Sequence, residues 1–71
     1  MRYMVEIEAE MLTDEMRNTI NQTTPGKMVS RADDRFVVGT FTSRSEADML
    51  LTTLIDQHPD IQVTLKEIEL N

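Results

Sequence analysis

The sequence contains no cysteine and only one histidine, His58. Without thiols, the protein cannot form disulfide bonds, use thiolate chemistry or build a zinc site that needs sulfur ligands. One histidine cannot form a multi-histidine metal site either. A chain of 71 residues buries a modest core, so domains of this size often gain stability from a disulfide, a metal or a partner chain. Of these three, the composition leaves a partner chain open.

Basic side chains are also scarce. Seven Lys and Arg residues stand against 13 Asp and Glu residues, which leaves a formal net charge of −6. A nucleic-acid-binding protein needs clustered cations to displace counterions from phosphates. We therefore expect neither direct nucleic-acid binding nor attachment to an anionic membrane surface.

Long apolar runs are missing as well. The first ten residues, MRYMVEIEAE, lack the apolar segment of a signal peptide, and no run approaches the length that spans a bilayer. We expect a cytoplasmic protein with a single domain over residues 1–71.

The first third of the chain predicts a strand followed by a short helix. Residues 3–10 alternate with period two, which is typical of a half-buried strand. One face of this strand would carry Tyr3, Val5, Ile7 and Ala9, and the other Met4, Glu6, Glu8 and Glu10. Thr13 then suits a helix N-cap, and Pro25-Gly26 ends the helix.

The remaining residues predict a hairpin, a second helix and a last strand. KMVSRA (27–32) and RFVVGTF (35–41) flank a turn at Asp33-Asp34, with the first as an edge strand and the second as a central one. Ser43 and Glu46 form a capping box that begins the second helix, and Pro59 ends it. IQVTLKEIEL (61–70) is the last strand. The order β-α-β-β-α-β predicts an α+β, ferredoxin-like fold: a four-stranded antiparallel sheet with two helices on one face.

The sheet face away from the helices is the first candidate site. Alternation places Phe36 and Val38 on one face of the central strand and Val37 and Phe41 on the other, so an apolar pair would point away from the helices. We expect this pair to form a docking patch. The alternative is that Met4 and the stem of Lys66 cover it within one chain.

The last strand is the second candidate. Its apolar phase is odd-numbered through Leu65 and then shifts to Ile68 and Leu70. Such a shift predicts a bulge, a frayed end or a segment that reaches a partner chain. We therefore expect a homodimer that associates through sheet faces or edges, with Phe36, Val38, Phe41, Ile68 and Leu70 as candidate contact residues.

The acidic residues Glu6, Glu8 and Glu10 would line one face of the first strand. They could bind a hard cation or form an acidic recognition surface, but same-face neighbours lie about 7 Å apart, too far for tight chelation. A solvated outer face is the simpler interpretation.

His58 could serve as a general base. Its position at the end of a helix has a simpler structural explanation, because polar or cationic residues there complement the helix C-terminus. GTFTS (39–43) has one glycine and is not a phosphate loop. We predict no catalytic residue, metal or cofactor.

Two parts of the sequence resemble known families. The segment VGTFTSRSEADMLLTTL (38–54) resembles the strand-to-helix segment of SPOR domains, which share the βαββαβ order and bind glycan strands of bacterial cell walls. Residues 1–11 and 33–70 resemble small proteins related to muconolactone isomerase. The second resemblance implies a ferredoxin-like dimeric α+β barrel with a ligand cleft partly walled by the first helix. That helix is much shorter here than in the family, and no catalytic residue can be matched.

Together, these features favour a small non-enzymatic interaction protein. It would be a ferredoxin-like homodimer whose acidic surface or exposed sheet binds another protein. Two other hypotheses remain. One is a dimeric α+β barrel enzyme or small-ligand binder similar to muconolactone isomerase. The other is an acidic inhibitor whose carboxylates mimic nucleic-acid phosphates and occupy a basic groove on a host protein.

Overall fold

A computed structural model describes residues 1–69, so Leu70 and its predicted contact role lie outside the described residues. The elements follow the predicted order. They are β1 (Arg2–Glu8), α1 (Asp14–Thr23), β2 (Met28–Ala32), β3 (Arg35–Phe41), α2 (Arg44–Gln57) and β4 (Gln62–Ile68). The four strands form one antiparallel sheet in the order β2-β3-β1-β4, which confirms the ferredoxin-like α+β fold, with β2 as an edge strand and β3 as a central one.

The two helices begin at the predicted capping residues. The Thr13 hydroxyl accepts a hydrogen bond from the Met16 amide at 3.2 Å, and the Ser43 hydroxyl accepts one from the Glu46 amide at 3.4 Å. Each bond satisfies one of the free amides at a helix start. At the other end of α2, the His58 amide donates to the Leu54 carbonyl at 2.8 Å, so His58 is the C-cap.

The core lies between the helices and one face of the sheet. Both helices contribute to a single apolar cluster that also contains the inward side chains of β1 and β3. The fully enclosed apolar members are Val5, Ile7, Ile20, Val38, Phe41, Ala47, Leu50 and Leu54. We call this side of the sheet the helix face.

A bulge in β3 corrects the prediction that Phe36 and Phe41 point to opposite faces. Tyr3 pairs with Phe41 and Met4 with Gly39, so Thr40 is an extra residue that shifts the phase of β3 by one position. Phe36, Val38 and Phe41 all lie on the helix face, 8 %, 0 % and 0 % exposed. They are core residues, and the predicted docking patch at these three positions is wrong.

Gly39 allows the two strands to approach closely at this bulge. A Cβ atom added at Gly39 would lie 3.2 Å from Met4 Cγ and 3.3 Å from the Tyr3 carbonyl oxygen, closer than most Cβ atoms come to such neighbours. The absence of a side chain therefore lets β1 and β3 stay paired on both sides of the extra residue.

From Gln62 to Ile68, the last strand has no bulge against β1. Its pairing is regular from Glu8 with Gln62 to Arg2 with Ile68. The shift in apolar phase therefore has a simpler cause than the predicted bulge or departing segment: Leu65 faces the helices, and Ile68 lies on the opposite face of the same regular strand.

We expect Phe41→Ala to lower the free energy of unfolding by about 3–5 kcal/mol, because the ring is completely enclosed in the core. Met28→Ala is the matched control. Met28 lies on the other side of the sheet with 72 % of its surface exposed, and its loss should cost no more than about 0.5 kcal/mol. Urea unfolding measures both values. Equal midpoints for Phe41→Ala and the unmodified protein would contradict the burial of this ring.

Candidate functional site

The sheet surface turned away from the helices is the first candidate site, and we call it the open face. Strand pairing assigns its members: Arg2, Met4, Glu6 and Glu8 from β1, Met28, Ser30 and Ala32 from β2, Arg35, Val37 and Gly39 from β3, and Gln62, Thr64, Lys66 and Ile68 from β4. Within residues 1–69, no helix or further strand packs on this face.

Three charged side chains from three adjacent strands meet at the centre of the open face. Glu6 Oε1 lies 2.8 Å from Arg35 Nη1, and Glu6 Oε2 lies 3.2 Å from Lys66 Nζ. Both cations reach Glu6 from diagonal positions, since its direct partners in the sheet are Val37 and Thr64. We call Glu6, Arg35 and Lys66 the charge cluster.

Glu6 is only 8 % exposed, although it lies on the open face. The hydrogen bond from Arg35 is the main cause that lowers the pKa of Glu6 from its usual 4.5, with Lys66 contributing by hydrogen bonding and charge. Burial acts in the opposite direction and raises it. Glu6 in turn raises the pKa of Arg35. The carboxylate is therefore held charged and neutralised by its two neighbours.

Apolar side chains surround the charge cluster. Met4, Val37 and Ile68 are partly buried, and Met28 at the edge strand is 72 % exposed. The apolar area of the open face is therefore smaller than the predicted pair of Val37 and Phe41 would give, because the bulge directs Phe41 into the core.

The open face is nearly neutral in an acidic protein. Its three cations, Arg2, Arg35 and Lys66, and its two carboxylates, Glu6 and Glu8, leave a formal charge of +1. Since the whole chain carries −6, the residues outside this face carry −7. The excess negative charge is therefore concentrated on the helices, loops and helix face.

The three predicted acidic residues do not act as one surface. Glu8 is exposed on the open face, whereas Glu6 is enclosed in the charge cluster. Glu10 lies two residues beyond the end of β1 and lines a different surface on the helix side. Strand alternation continued through Glu10 in the sequence, but the chain leaves the sheet after Glu8. The prediction that all three line one strand face is wrong for Glu10.

A second candidate site is a cleft between the start of α1 and the hairpin of β2 and β3, with a cavity volume of about 420 Å³. Its apolar lining comes from Leu12, Val29 and Phe36, and Met11 completes it. Its charged lining comes from Glu10, Arg17 and Arg31. We call this the arginine cleft. Because Val29, Arg31 and Phe36 lie on the helix face, the cleft and the open face are on opposite sides of the sheet.

His58 lies away from the arginine cleft. Its ring Nε2 is 3.5 Å from the Thr19 hydroxyl, which donates a 2.8 Å hydrogen bond to Gln57 Oε1. These contacts join the end of α2 to the middle of α1.

Across the described part of the chain, no three His, Asp or Glu side chains gather closely enough to hold a metal ion. Within that same part, neither helix is long and apolar enough to cross a membrane.

Sequence patterns missed both the charge cluster and the arginine cleft. Alternation placed Glu6 on the outer face of β1, but the register that brings Arg35 and Lys66 to it depends on pairing with two distant strands. The feature of the sequence that could have indicated the cleft is the short first helix. Ten residues span about 15 Å, too little to cover the outer part of the hairpin as well.

Comparison of the chain with protein-family models, with curated proteins and with solved structures finds no match. The resemblances to SPOR domains and to muconolactone-isomerase-like proteins therefore stay predictions.

Glu6→Gln should make stability less dependent on acid pH. The folded-state pKa of Glu6 is below its usual 4.5, so its ion pairs stabilise the fold above about pH 4.5 and lose this contribution as the pH falls through the folded value. The variant removes the only carboxylate near Lys66 among the described residues and leaves Arg35 with Asp34 alone, at 3.5 Å. It should lose roughly 1–3 kcal/mol at neutral pH.

Urea unfolding at several pH values between about pH 3 and pH 7 measures this difference. Glu8→Gln is the control, because Glu8 is an exposed carboxylate on the same strand and the same face. Equal effects of the two substitutions at neutral pH and in acid would show that the charge cluster has no special contribution.

Proposed function

We propose that this is a small interaction protein that works as a homodimer, in which the open faces of two copies pack together. The observation that carries the proposal is the uncovered sheet face with Met4, Val37 and Ile68 around a neutralised carboxylate. The expected cytoplasmic location belongs to the same proposal.

Charge supports a second copy as the occupant of the open face. Two copies that meet through helices and loops would bring together surfaces that share a formal charge of −7 on each chain. Two open faces bring together surfaces of +1 each, with cations and carboxylates interspersed. Electrostatic repulsion is therefore smallest when the open faces meet.

The charge cluster also suits burial against a second copy. Glu6 already has two cationic partners inside its own chain, so an interface over it would not leave an isolated buried carboxylate. The Arg35 and Lys66 side chains remain 37 % and 58 % exposed. Arg35 Nε lies 3.5 Å from Asp34 Oδ1, and the remaining donors of both side chains can reach acceptors across the interface.

The size of the open face predicts a dimer of moderate affinity. Four strands about 4.8 Å apart and about 23 Å long present a footprint of roughly 440 Å² per copy. Two such footprints total roughly 880 Å², below the about 1,200 Å² at which standard specific interfaces begin and in the range of weak or transient ones. We therefore expect a dissociation constant in the micromolar range.

The acidic-mimic hypothesis receives less support from the geometry. Glu6 is paired with two cations and Glu10 lies on the other side of the sheet from Glu8, so the three carboxylates predicted as an acidic face do not form one free surface. An interaction with a further protein would instead use the acidic surface that remains outside the dimer, on the helices and loops.

Val37→Lys should dissociate the dimer without unfolding the chain. Val37 lies on the central strand of the open face, so each copy would place a new cation in the middle of the interface. Sedimentation at about 50 µM should show a dimer for the unmodified protein and a monomer for the variant, given a micromolar dissociation constant. Circular dichroism checks that the variant is folded.

Ile55→Lys is the matched control. Ile55 is 48 % exposed on α2, so replacing this aliphatic residue with lysine places a cation on the helix side of the molecule. This variant should remain a dimer. A monomeric unmodified protein at this concentration, or a dimer that Ile55→Lys dissociates and Val37→Lys does not, would overturn the proposal.

A further inference from the structure

We propose that the arginine cleft binds a small molecule that carries one carboxylate on a flat apolar body. The cleft lies on the helix side of the sheet, so this inference does not depend on the dimer. It follows from an apolar floor, two cations without carboxylate partners and the net charge of the lining.

The floor of the arginine cleft is apolar and ordered by the core. Phe36 and Leu12 are 8 % and 7 % exposed, so each contributes only a small part of its surface to the cleft, and Val29, also in the lining, is partly buried. About half of the exposed lining is apolar and half polar, and 420 Å³ falls within the range of small-molecule sites.

The two arginines of the cleft lack acidic partners. Within residues 1–69, no carboxylate lies within 4.0 Å of Arg17 or Arg31, although the chain has 13 acidic residues. Arg35, in contrast, has two such carboxylates, from Glu6 and Asp34, and Arg44 has one, from Glu67. Two guanidinium groups on one cleft therefore remain available to an external anion.

Arg31 is also positioned against the floor. Its Cζ atom lies 5.9 Å from the centroid of the Phe36 ring, in the range of a cation–π contact. A flat ligand on the Phe36 and Val29 side of the cleft would place its carboxylate next to this guanidinium. A guanidinium presents two parallel donors to the two oxygens of a carboxylate. A carboxylate is therefore a better partner for Arg31 than a neutral polar group.

The charge of the cleft selects a monoanion. Arg17 and Arg31 contribute two positive charges and Glu10 one negative charge, so the lining carries a formal +1 in a chain of −6. A singly charged carboxylate neutralises this lining. A dianion would leave excess negative charge beside Glu10.

The test is an NMR titration of the full chain with 2-naphthoate and, separately, with its neutral relative 2-naphthamide. We expect 2-naphthoate to cause saturable shifts at the amides of Leu12, Val29 and Arg31. Charge-assisted hydrogen bonds from arginine predict that 2-naphthamide binds at least about tenfold more weakly.

Three variants separate the contributions of the cleft. Arg17→Gln and Arg31→Gln should each weaken 2-naphthoate binding about five- to tenfold, whereas Glu10→Gln should strengthen it about two- to fivefold. Arg2→Gln is the control, since Arg2 is an exposed arginine on the open face, and it should leave the affinity unchanged. Arg17 is exposed on α1, so its substitution remains informative even if Arg31→Gln reduces stability.

Three results would each overturn the proposal. The first is the absence of saturable shifts at the cleft up to about 5 mM ligand, above the dissociation constant that an aromatic acid of this size should reach. The second is equal affinity for the acid and the amide. The third is unchanged affinity in both Arg17→Gln and Arg31→Gln.

Discussion

The extra residue at Thr40 decides that the helices cover Phe41. Because β3 gains one position there, Phe41 pairs with Tyr3 and turns into the core instead of away from it. Gly39 makes the close approach to β1 possible. Both phenylalanines of the chain therefore serve the core, which a domain of this length needs if it is to be stable. The open face is left with smaller aliphatic groups and the charge cluster.

Because both phenylalanines lie in the core, the two sides of this two-layer domain have different surfaces. The open face is nearly neutral, and its central carboxylate is already paired, so it can be covered by a similar surface without isolated charge. The helix side carries the excess acidic residues, yet its arginine cleft has a net positive lining. A second copy and a small monoanion would thus occupy opposite sides of the same sheet, and neither would block the other.

Local patterns in the sequence were sufficient for the elements and their order. Thr13 and Ser43 cap the helices as predicted, and alternation located β1, β3 and β4. The same alternation failed at Phe41, because period two assumes that no residue is inserted and the bulge inserts one. It also could not find the partners of Glu6, which come from strands 29 and 60 positions away in the chain. Tertiary register controls such contacts, and no local pattern encodes it.

The proposed homodimer, in which the open faces of two copies pack against each other, can be tested through contacts between the copies. A mixed dimer, with one copy isotope-labelled and the other unlabelled, allows NOEs between copies to be separated from those within one chain. We expect such NOEs between the Met4 methyl of one copy and the Val37 methyls of the other. NOEs between copies that arise instead from the α2 residues Met49 and Ile55, or no NOEs between copies at all, would contradict it.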